Sequence, residues 1–132
     1  MSIQKKIKLP QPDNALTEEG EQLHLCAWIK ETYPHIIFWS DLSGFNLPIG
    51  LAMKAKAMRS GRGVPDLFLA FPCGGYHGLF IELKKTGTKK KNNEHFIEQE
   101  KMLMALELLG YRATFAFGLE EAKIIISQYI SL

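Results

Sequence analysis

Two carboxylates and a lysine stand at strand-like positions in the stretch GVPDLFLAFPCGGYHGLFIELKK (63–85). Asp66 follows a proline and opens the apolar run DLFLAF, whereas Glu82 lies near the end of the next run, two residues before Lys84. Because alternate residues of a strand project from one face, Glu82 and Lys84 are predicted to share a face. If the two runs pair as an antiparallel hairpin, Asp66 is expected to lie beside them.

A carboxylate pair beside a lysine is costly to bury unless another group compensates the charge. A divalent cation can do so, because carboxylate and main-chain carbonyl oxygens are the hard ligands that Mg²⁺ and Mn²⁺ prefer. A bound cation lowers the pKa of a water and neutralises charge on a phosphate oxygen, and a lysine can orient or deprotonate the attacking water. The three residues therefore suit phosphodiester hydrolysis. The spacing alone also permits an ion pair between Lys84 and one acid on a partly exposed sheet edge.

The elements that must position these residues combine helices and strands. Helical periodicity and a capping Thr17 predict the first helix, and short β-branched or aromatic runs predict the strands. The predicted elements are helix 17–32, strand 35–40, helix 51–61, strands 66–71 and 76–85, a helix within 92–111 that ends at Gly110, strand 112–118 and helix 119–132. The order α-β-α-β-β-α-β-α predicts an α/β protein with helices flanking one small mixed central sheet.

The chain of 132 residues has the size of one domain. Residues 1–16 are expected to form a flexible N-terminal arm and residues 17–132 a single domain. The two cysteines lack metal-ligand spacing and the four histidines are scattered, so neither set predicts a zinc site. No apolar run approaches the roughly 18 residues of a membrane span, and the start lacks the apolar core of a signal peptide. These features predict an intracellular protein with no membrane association.

Basic residues concentrate in the centre of the chain. Between positions 49 and 91, nine basic side chains stand against two acidic ones, although the net charge of the whole chain is only +2. A segregated basic centre suits a polyanion such as nucleic acid. A solvated lysine-rich loop would account for its KKTGTKKKNN part without any ligand.

The stretch RGVPDLFLAFPCGGYHGLFIELKK resembles the core of the VRR-NUC (virus-type replication-repair nuclease) family within the PD-(D/E)XK nuclease superfamily. Pro-Asp at 65–66 and Glu-Leu-Lys at 82–84 match the superfamily signature. The similarity extends to the first helix, to Gln99 and to LLGYRATFAFGLEEA, and so covers roughly residues 17–131. It implies a restriction-endonuclease-like core and a metal-dependent endodeoxyribonuclease that uses Mg²⁺ or Mn²⁺ and no organic cofactor.

The resemblance also implies roles for individual residues. Asp66 and Glu82 would be the metal-binding carboxylates, the Leu83 carbonyl would be a further ligand, and Lys84 would be the catalytic lysine. Gln99 is similar to the glutamine with which the family faces the site from the helix behind the sheet.

The family's site also includes an acidic residue of the first helix, and two glutamates compete for that role. Glu18 stands four residues before Gln22, which is the spacing associated with the motif, and is favoured over Glu21 on nearly the same face. Either glutamate could instead simply complement the helix dipole. The chain departs from the family after its first strand, where Ser43-Gly44 replaces an Asn-Gly-Gly-like turn.

The basic centre and the resemblance together predict a DNA substrate. No base-reading motif accompanies the basic residues, so recognition of backbone shape is expected. By analogy with stand-alone phage or prophage members, the chain would be a homodimer that cuts branched DNA such as four-way junctions, in the cytoplasm of a bacterial or phage-infected cell. The residues predicted to contact phosphates are Lys54, Lys56, Arg59, Arg62, Lys85, Lys89 and Lys90.

Two other functions stay open at this point. The first is a nucleic-acid-binding module that has the same fold but no catalysis, although a pure binder has no use for two carboxylates facing a phosphate. The second is a small α/β protein with a structural acid pair, which leaves the basic centre unexplained. One apolar group fits either a dimer surface or core burial: Phe38, Trp39, Phe45, Leu47 and Ile49.

Overall fold

The computed structural model describes residues 7–9, 16–42 and 45–132. Within them the chain forms helices and strands in the predicted order α-β-α-β-β-α-β-α, and the α/β class is confirmed. The elements are α1 (Glu18–Thr32), β1 (Phe38–Ser40), α2 (Ile49–Ala57), β2 (Leu67–Leu69), β3 (Leu79–Lys84), α3 (Glu94–Leu108), β4 (Arg112–Phe117) and α4 (Leu119–Ile130).

The strands form one mixed sheet in the order β1-β2-β3-β4. The pairs β1/β2 and β2/β3 are antiparallel, whereas β3 and β4 are parallel and α3 forms the crossover between them. The predicted hairpin is therefore present. Its register pairs Leu67 with Ile81, which brings the preceding Asp66 next to the following Glu82.

One face of the sheet carries the hydrophobic core. The odd-numbered residues of β2 and β3 are buried there against Leu25 and Ile29 of α1 and against Ala122 and Ile126 of α4. The even-numbered residues of β3 project to the opposite face, where α3 packs on β4 and reaches Glu82 through a hydrogen bond. This alternation separates an apolar face from a face that carries acidic and basic side chains.

Side-chain caps fix the starts of the two helices that approach this second face. The Thr17 hydroxyl accepts a hydrogen bond from the Gly20 N–H at 3.0 Å, as predicted, and α1 begins at Glu18. The Asn93 side chain accepts a hydrogen bond from the Phe96 N–H at 3.0 Å at the start of α3. Each cap therefore sets where its helix enters the region around Glu82.

Several predicted boundaries were wrong. The strand predicted at 35–40 is confined to β1, and the helix predicted at 51–61 runs from Ile49 to Ala57 and buries none of its residues. The helix predicted to end at Gly110 ends at Leu108, and Leu109 is 66% exposed. Short elements at the edge of a sheet have few packing partners, so local sequence patterns place their ends poorly.

Parts of the sequence prediction lie outside the described residues. These are the Ser43-Gly44 turn and all of the proposed arm except residues 7–9 and 16. Among the helices that are described, none combines the length and the apolar character needed to cross a membrane.

Leu69→Ala is expected to lower the free energy of unfolding by about 2–5 kcal/mol, because Leu69 is fully buried and its truncation leaves a cavity in the core. Urea unfolding followed by circular dichroism measures the change. Leu108→Ala is the matched control, since Leu108 is 88% exposed, and it should change the value by less than about 0.5 kcal/mol. Equal losses in the two variants would contradict this placement of the core.

Candidate active site

Asp66 occupies the turn that leads into β2 and is held from both neighbouring strands. Its Oδ2 accepts a hydrogen bond from the Leu83 N–H at 2.9 Å. Its main-chain carbonyl accepts hydrogen bonds from the Asp41 N–H at 2.6 Å and from the Ser40 hydroxyl at 3.1 Å. The residue is only 3% exposed, so its carboxylate is fixed against the backbone of Leu83, the predicted carbonyl ligand.

The two oxygens of the buried Glu82 carboxylate differ in their hydrogen bonding. Its Oε1 accepts a hydrogen bond from Gln99 Nε2 at 2.8 Å and lies 3.8 Å from Lys84 Nζ. Its Oε2 is buried and has no hydrogen-bond partner among the described residues. Burial, and then the negative charge of Asp66, raise the pKa of Glu82 to about 9. The Lys84 ammonium group offsets this shift only in part, so a further cation or a proton would stabilise the carboxylate.

Lys84 lies at the end of β3 on the same face as Glu82, as predicted. Its ammonium group is 4.6 Å from the centre of the Phe96 ring, and its main-chain carbonyl accepts a hydrogen bond from the Gly118 N–H at 2.8 Å. The residue is 8% exposed. The ammonium group is thus confined between an aromatic ring of α3 and the Glu82 carboxylate.

Gln99 reaches the acid pair from α3. Its amide nitrogen donates to Glu82 and lies 3.2 Å from the Nε2 atom of His95, one helical turn earlier. Its Oε1 is buried and has no hydrogen-bond partner within the described part of the chain. Because the amide nitrogen is occupied by two acceptors, the carbonyl oxygen is the end that can accept a hydrogen bond from another group.

The two glutamates that competed on α1 have different environments. Glu21 is buried and accepts hydrogen bonds from the Thr86 N–H and hydroxyl, both at 3.0 Å, and from the Leu119 N–H at 2.6 Å. Glu18 lies in the wall of the cleft that contains Asp66. Partial burial, and then the Asp66 charge, raise the pKa of Glu18. The structure therefore brings Glu18 to the acid pair and uses Glu21 to join α1 to the segments after β3 and before α4.

A cleft of about 510 Å³ opens over these side chains. Its wall contains five residues predicted for catalysis, together with basic residues and His95, which sequence reasoning did not select. The predicted residues are Glu18, Asp66, Glu82, Lys84 and Gln99. Residues from α1, the β2 and β3 ends and α3 thus converge on one concave surface.

The predicted metal ligands fit a divalent cation. No group of three or more histidine, cysteine, aspartate or glutamate side chains in the described ranges has an arrangement that would hold a metal. The predicted set is smaller, because it consists of two carboxylates and one main-chain carbonyl. The buried Glu82 Oε2 without a partner fits such an ion, since a cation would supply the missing interaction.

Comparisons with known proteins identify the fold. No family model and no curated protein matches the chain. A solved structure described as a "VRR_NUC domain protein" is 28% identical over 90% of this chain and 92% of that chain, with a TM-score of 0.64. The chain has a VRR-NUC domain fold. The restriction-endonuclease-like architecture expected from the sequence is confirmed.

The chain carries some of its predicted phosphate-contacting residues in the cleft. Lys56, Arg59 and Arg62 line it. Arg59 forms a two-nitrogen ion pair with Asp41, with its Nε 2.9 Å from Oδ2, and Arg62 lies 3.2 Å from Glu98. Asp41 therefore orients the guanidinium group of Arg59 at the mouth of the cleft.

The other predicted phosphate-contacting residues lie outside the cleft wall. Lys54 is exposed on α2, and the remaining three are exposed in the loop between β3 and α3, where Lys90 pairs with Glu100 at 3.0 Å. Those three are Lys85, Lys89 and Lys90. The chain thus has an inner set of cations in the cleft wall and an outer set beyond it.

Sequence reasoning missed two residues near the site. His95 was considered only for a zinc site, and its spacing of four residues from Gln99 was the signal that placed both on one face of α3. Gln22 was used only to mark the motif spacing, but its amide donates to the Ser40 hydroxyl at 2.6 Å and to the Asp41 carbonyl at 2.7 Å. Gln22 thereby ties α1 to the end of β1.

Proposed function

We propose that this VRR-NUC domain is a divalent-metal-dependent DNA nuclease that hydrolyses phosphodiester bonds, with a preference for branched DNA such as four-way junctions. The observation that carries the proposal is the buried carboxylate of Glu82 in the wall of the cleft beside Asp66 and Lys84, because its Oε2 accepts no hydrogen bond from a donor among the described residues. Burying a carboxylate oxygen without a donor destabilises the fold, and a bound cation would offset that cost.

Asp66, Glu82 and the Leu83 carbonyl would hold the metal, which would be Mg²⁺ or Mn²⁺ because all three donors are hard oxygens. When bound, the metal supplies a water of lowered pKa and neutralises charge on a phosphate oxygen. Asp66 is already immobilised by Leu83, and Glu82 by Gln99. The ligands therefore need little reorganisation when the metal binds.

The chain's own residues supply the rest of the chemistry. Lys84 holds its ammonium group beside Glu82, where it can orient or deprotonate the attacking water and stabilise charge in the transition state. Gln99 offers its Oε1 as an acceptor for a water proton. Glu18 adds a carboxylate on the α1 side of the cleft.

The inner set of cations suits contacts with the phosphates of the DNA backbone. Lys56, Arg59 and Arg62 can contact phosphates next to the cleaved bond, and Lys54, Lys85, Lys89 and Lys90 can contact phosphates farther away. Phosphate contacts read shape and position, which suits a branched substrate.

A homodimer and a cytoplasmic location in a bacterial or phage-infected cell stay predictions. α2 supports the dimer, because Ile49, Leu51 and Met53 are exposed on a helix that buries nothing. A two-fold dimer would place two sites on the two strands of a junction.

The test is cleavage of linear, flapped and four-way DNA in Mg²⁺ or Mn²⁺. We expect cleavage that is fastest on branched DNA, that is abolished by EDTA and that is lost in Asp66→Ala. Glu120→Ala is the matched control, because Glu120 is a surface carboxylate of α4 that pairs only with Lys123 within the described residues. Cleavage that persists in EDTA or in Asp66→Ala would refute the proposal, and binding without cleavage would favour the inactive binding module.

Glu18→Ala and Glu21→Ala are expected to separate chemistry from stability. Glu21→Ala should lower the free energy of unfolding by about 1–3 kcal/mol, because it leaves the part-buried donors of Thr86 and Leu119 without their acceptor. Glu18→Ala should slow DNA cleavage by about tenfold or more, because it removes a carboxylate from the wall of the cleft. It should keep the free energy of unfolding, because Asp66 repels that carboxylate. Urea unfolding and cleavage rates measure the two effects. The reverse pattern would show that Glu21 is the acidic residue used in the reaction.

A further inference from the structure

Three aromatic side chains form a row across the sheet. Trp39 of β1 lies opposite Phe68 of β2, which lies opposite Phe80 of β3. The ring centres of Trp39 and Phe68 are 5.0 Å apart, and those of Phe68 and Phe80 are 4.3 Å apart in a stacked arrangement. Tyr111 closes the inner end of this aromatic row, 5.1 Å from Phe80. The rings support one another and hold fixed orientations.

The aromatic row lies on the same face of the sheet as the acid pair. Phe80 and Glu82 are two residues apart on β3, and Phe68 stands two residues after Asp66. Two residues along a strand correspond to about 7 Å, so the aromatic row is the next row of side chains beside the carboxylates. The two rows together form one strip of the sheet surface.

The outer end of the aromatic row is open. Trp39 is 58% exposed, and Phe68 and Phe80 are half-buried. Gly78 leaves room for the Phe68 ring, because a Cβ at position 78 would stand 2.7 Å from that ring. The row is therefore a rigid aromatic surface with one accessible end at the edge strand.

The charged side chains next to the aromatic row indicate which chemical class of ligand it binds. Asp41, two residues after Trp39, holds the guanidinium group of Arg59, and Lys56 and Arg62 line the adjoining cleft. Lys56 has no ion-pair partner among the described residues. An aromatic surface bordered by phosphate-binding cations matches the two parts of a nucleotide, a planar base and an anionic phosphate.

We propose that the aromatic row is a stacking site for an unpaired nucleobase next to the cleaved phosphate. Stacking on Trp39 requires a free base face, which a strand end, a flap or a junction offers and an intact duplex does not. The inference rests on the proposed function and extends it: the preference for branched DNA would come from unpaired bases at the branch. Every base has a π-face, so the site selects structure and not sequence.

Binding in EDTA tests the stacking site without catalysis. The probes are a fluorescein-labelled oligothymidylate, an abasic strand of the same length and a duplex of that length. Trp39→Ala is expected to weaken binding of the oligothymidylate about tenfold and to leave binding of the abasic strand unchanged. Trp39→Phe should keep most of the affinity, because it retains an aromatic face.

Intrinsic fluorescence gives an independent signal. Trp28 lies on α1 against Tyr33, on the other side of the sheet. Oligothymidylate should therefore quench the fluorescence of Trp28→Phe, in which only Trp39 remains, and should not quench that of Trp39→Phe.

Three results would overturn the inference. They are equal weakening for the oligothymidylate and the abasic strand, unchanged binding in Trp39→Ala, and a lower sedimentation mass in that variant, which would assign the aromatic row to a contact between two copies of the chain. Base-dependent binding in EDTA by a protein that cuts no DNA in Mg²⁺ or Mn²⁺ would refute the proposed nuclease activity and still support the stacking site.

Discussion

Lys84→Met is expected to slow DNA cleavage by about 10²- to 10⁴-fold, the range that a positioned proton-transfer group contributes. The ammonium group lies 3.8 Å from Glu82 and 4.6 Å from the Phe96 ring, and it is shielded from solvent, so no mobile side chain can replace it. Methionine keeps the apolar packing on Phe96 and removes only the charge and the proton donor. Single-turnover cleavage at saturating protein measures the effect on the chemical step.

Lys85→Met is the matched control for this prediction. Lys85 carries the same charge one residue later but is exposed, so its loss should leave the single-turnover rate unchanged and weaken DNA binding slightly in a salt-dependent manner. Lys84→Arg adds a mechanistic distinction, because a guanidinium group keeps the charge but does not give up a proton. An inactive Lys84→Arg variant assigns proton transfer to Lys84, and an active one assigns charge stabilisation. Equal rate losses in Lys84→Met and Lys85→Met would contradict a specific role for Lys84.

Glu82→Gln is expected to make the metal-free protein more stable at pH 8 while abolishing cleavage. The pKa of Glu82 is raised to about 9 in the folded protein from an ordinary value of 4.5. Below pH 4.5 the carboxyl is protonated in the folded and in the unfolded state, so its ionisation does not lower the free energy of unfolding. Between pH 4.5 and 9 the unfolded state releases the proton first, so the stability contributed by Glu82 falls as pH rises, by several kcal/mol in total.

Comparing the wild-type protein with Glu82→Gln isolates the titration of Glu82 from the titrations of other groups. The stability advantage of Glu82→Gln should be near zero at pH 4.5 and should grow with pH toward 9, because glutamine keeps an acceptor for the Gln99 amide but does not ionise. Urea unfolding in EDTA at a series of pH values measures it. Added Mg²⁺ should stabilise the wild-type protein at pH 8 far more than the variant. A pH-independent difference, or equal stabilisation by Mg²⁺, would refute an ionisable metal ligand at this position.

The acid pair was predictable from the sequence because its geometry is local. A hairpin with a short turn brings Asp66 to Glu82, and the alternation of a strand brings Glu82 to Lys84, so the pattern of 23 residues at 63–85 contains the necessary information. The order of elements was also accessible, since each helix and strand has its own periodicity.

The roles of the two glutamates on α1 could not be predicted from the sequence in the same way. Glu18 and Glu21 have the same charge, and both lie in the first turn of α1. Their difference arises from Thr86 and Leu119, which approach Glu21 only in the folded chain. Likewise, no local pattern shows that α2 buries nothing or that the indole of Trp39 stands at an open edge. Features that depend on distant segments need the tertiary structure.

The hydrogen bonds of Glu21 also bear on the order in which the chain folds during synthesis. Its partners lie 65 and 98 residues later in the chain, at Thr86 and Leu119. During synthesis α1 therefore emerges long before the two segments that donate to Glu21, and loop closure over such distances is slow. The bonds of Gln22 to Ser40 and Asp41 span only 18 and 19 residues, so they can form earlier. We therefore expect a chain synthesised only as far as α3 to hold Glu21, and with it the first turn of α1, less firmly than a chain that includes Leu119.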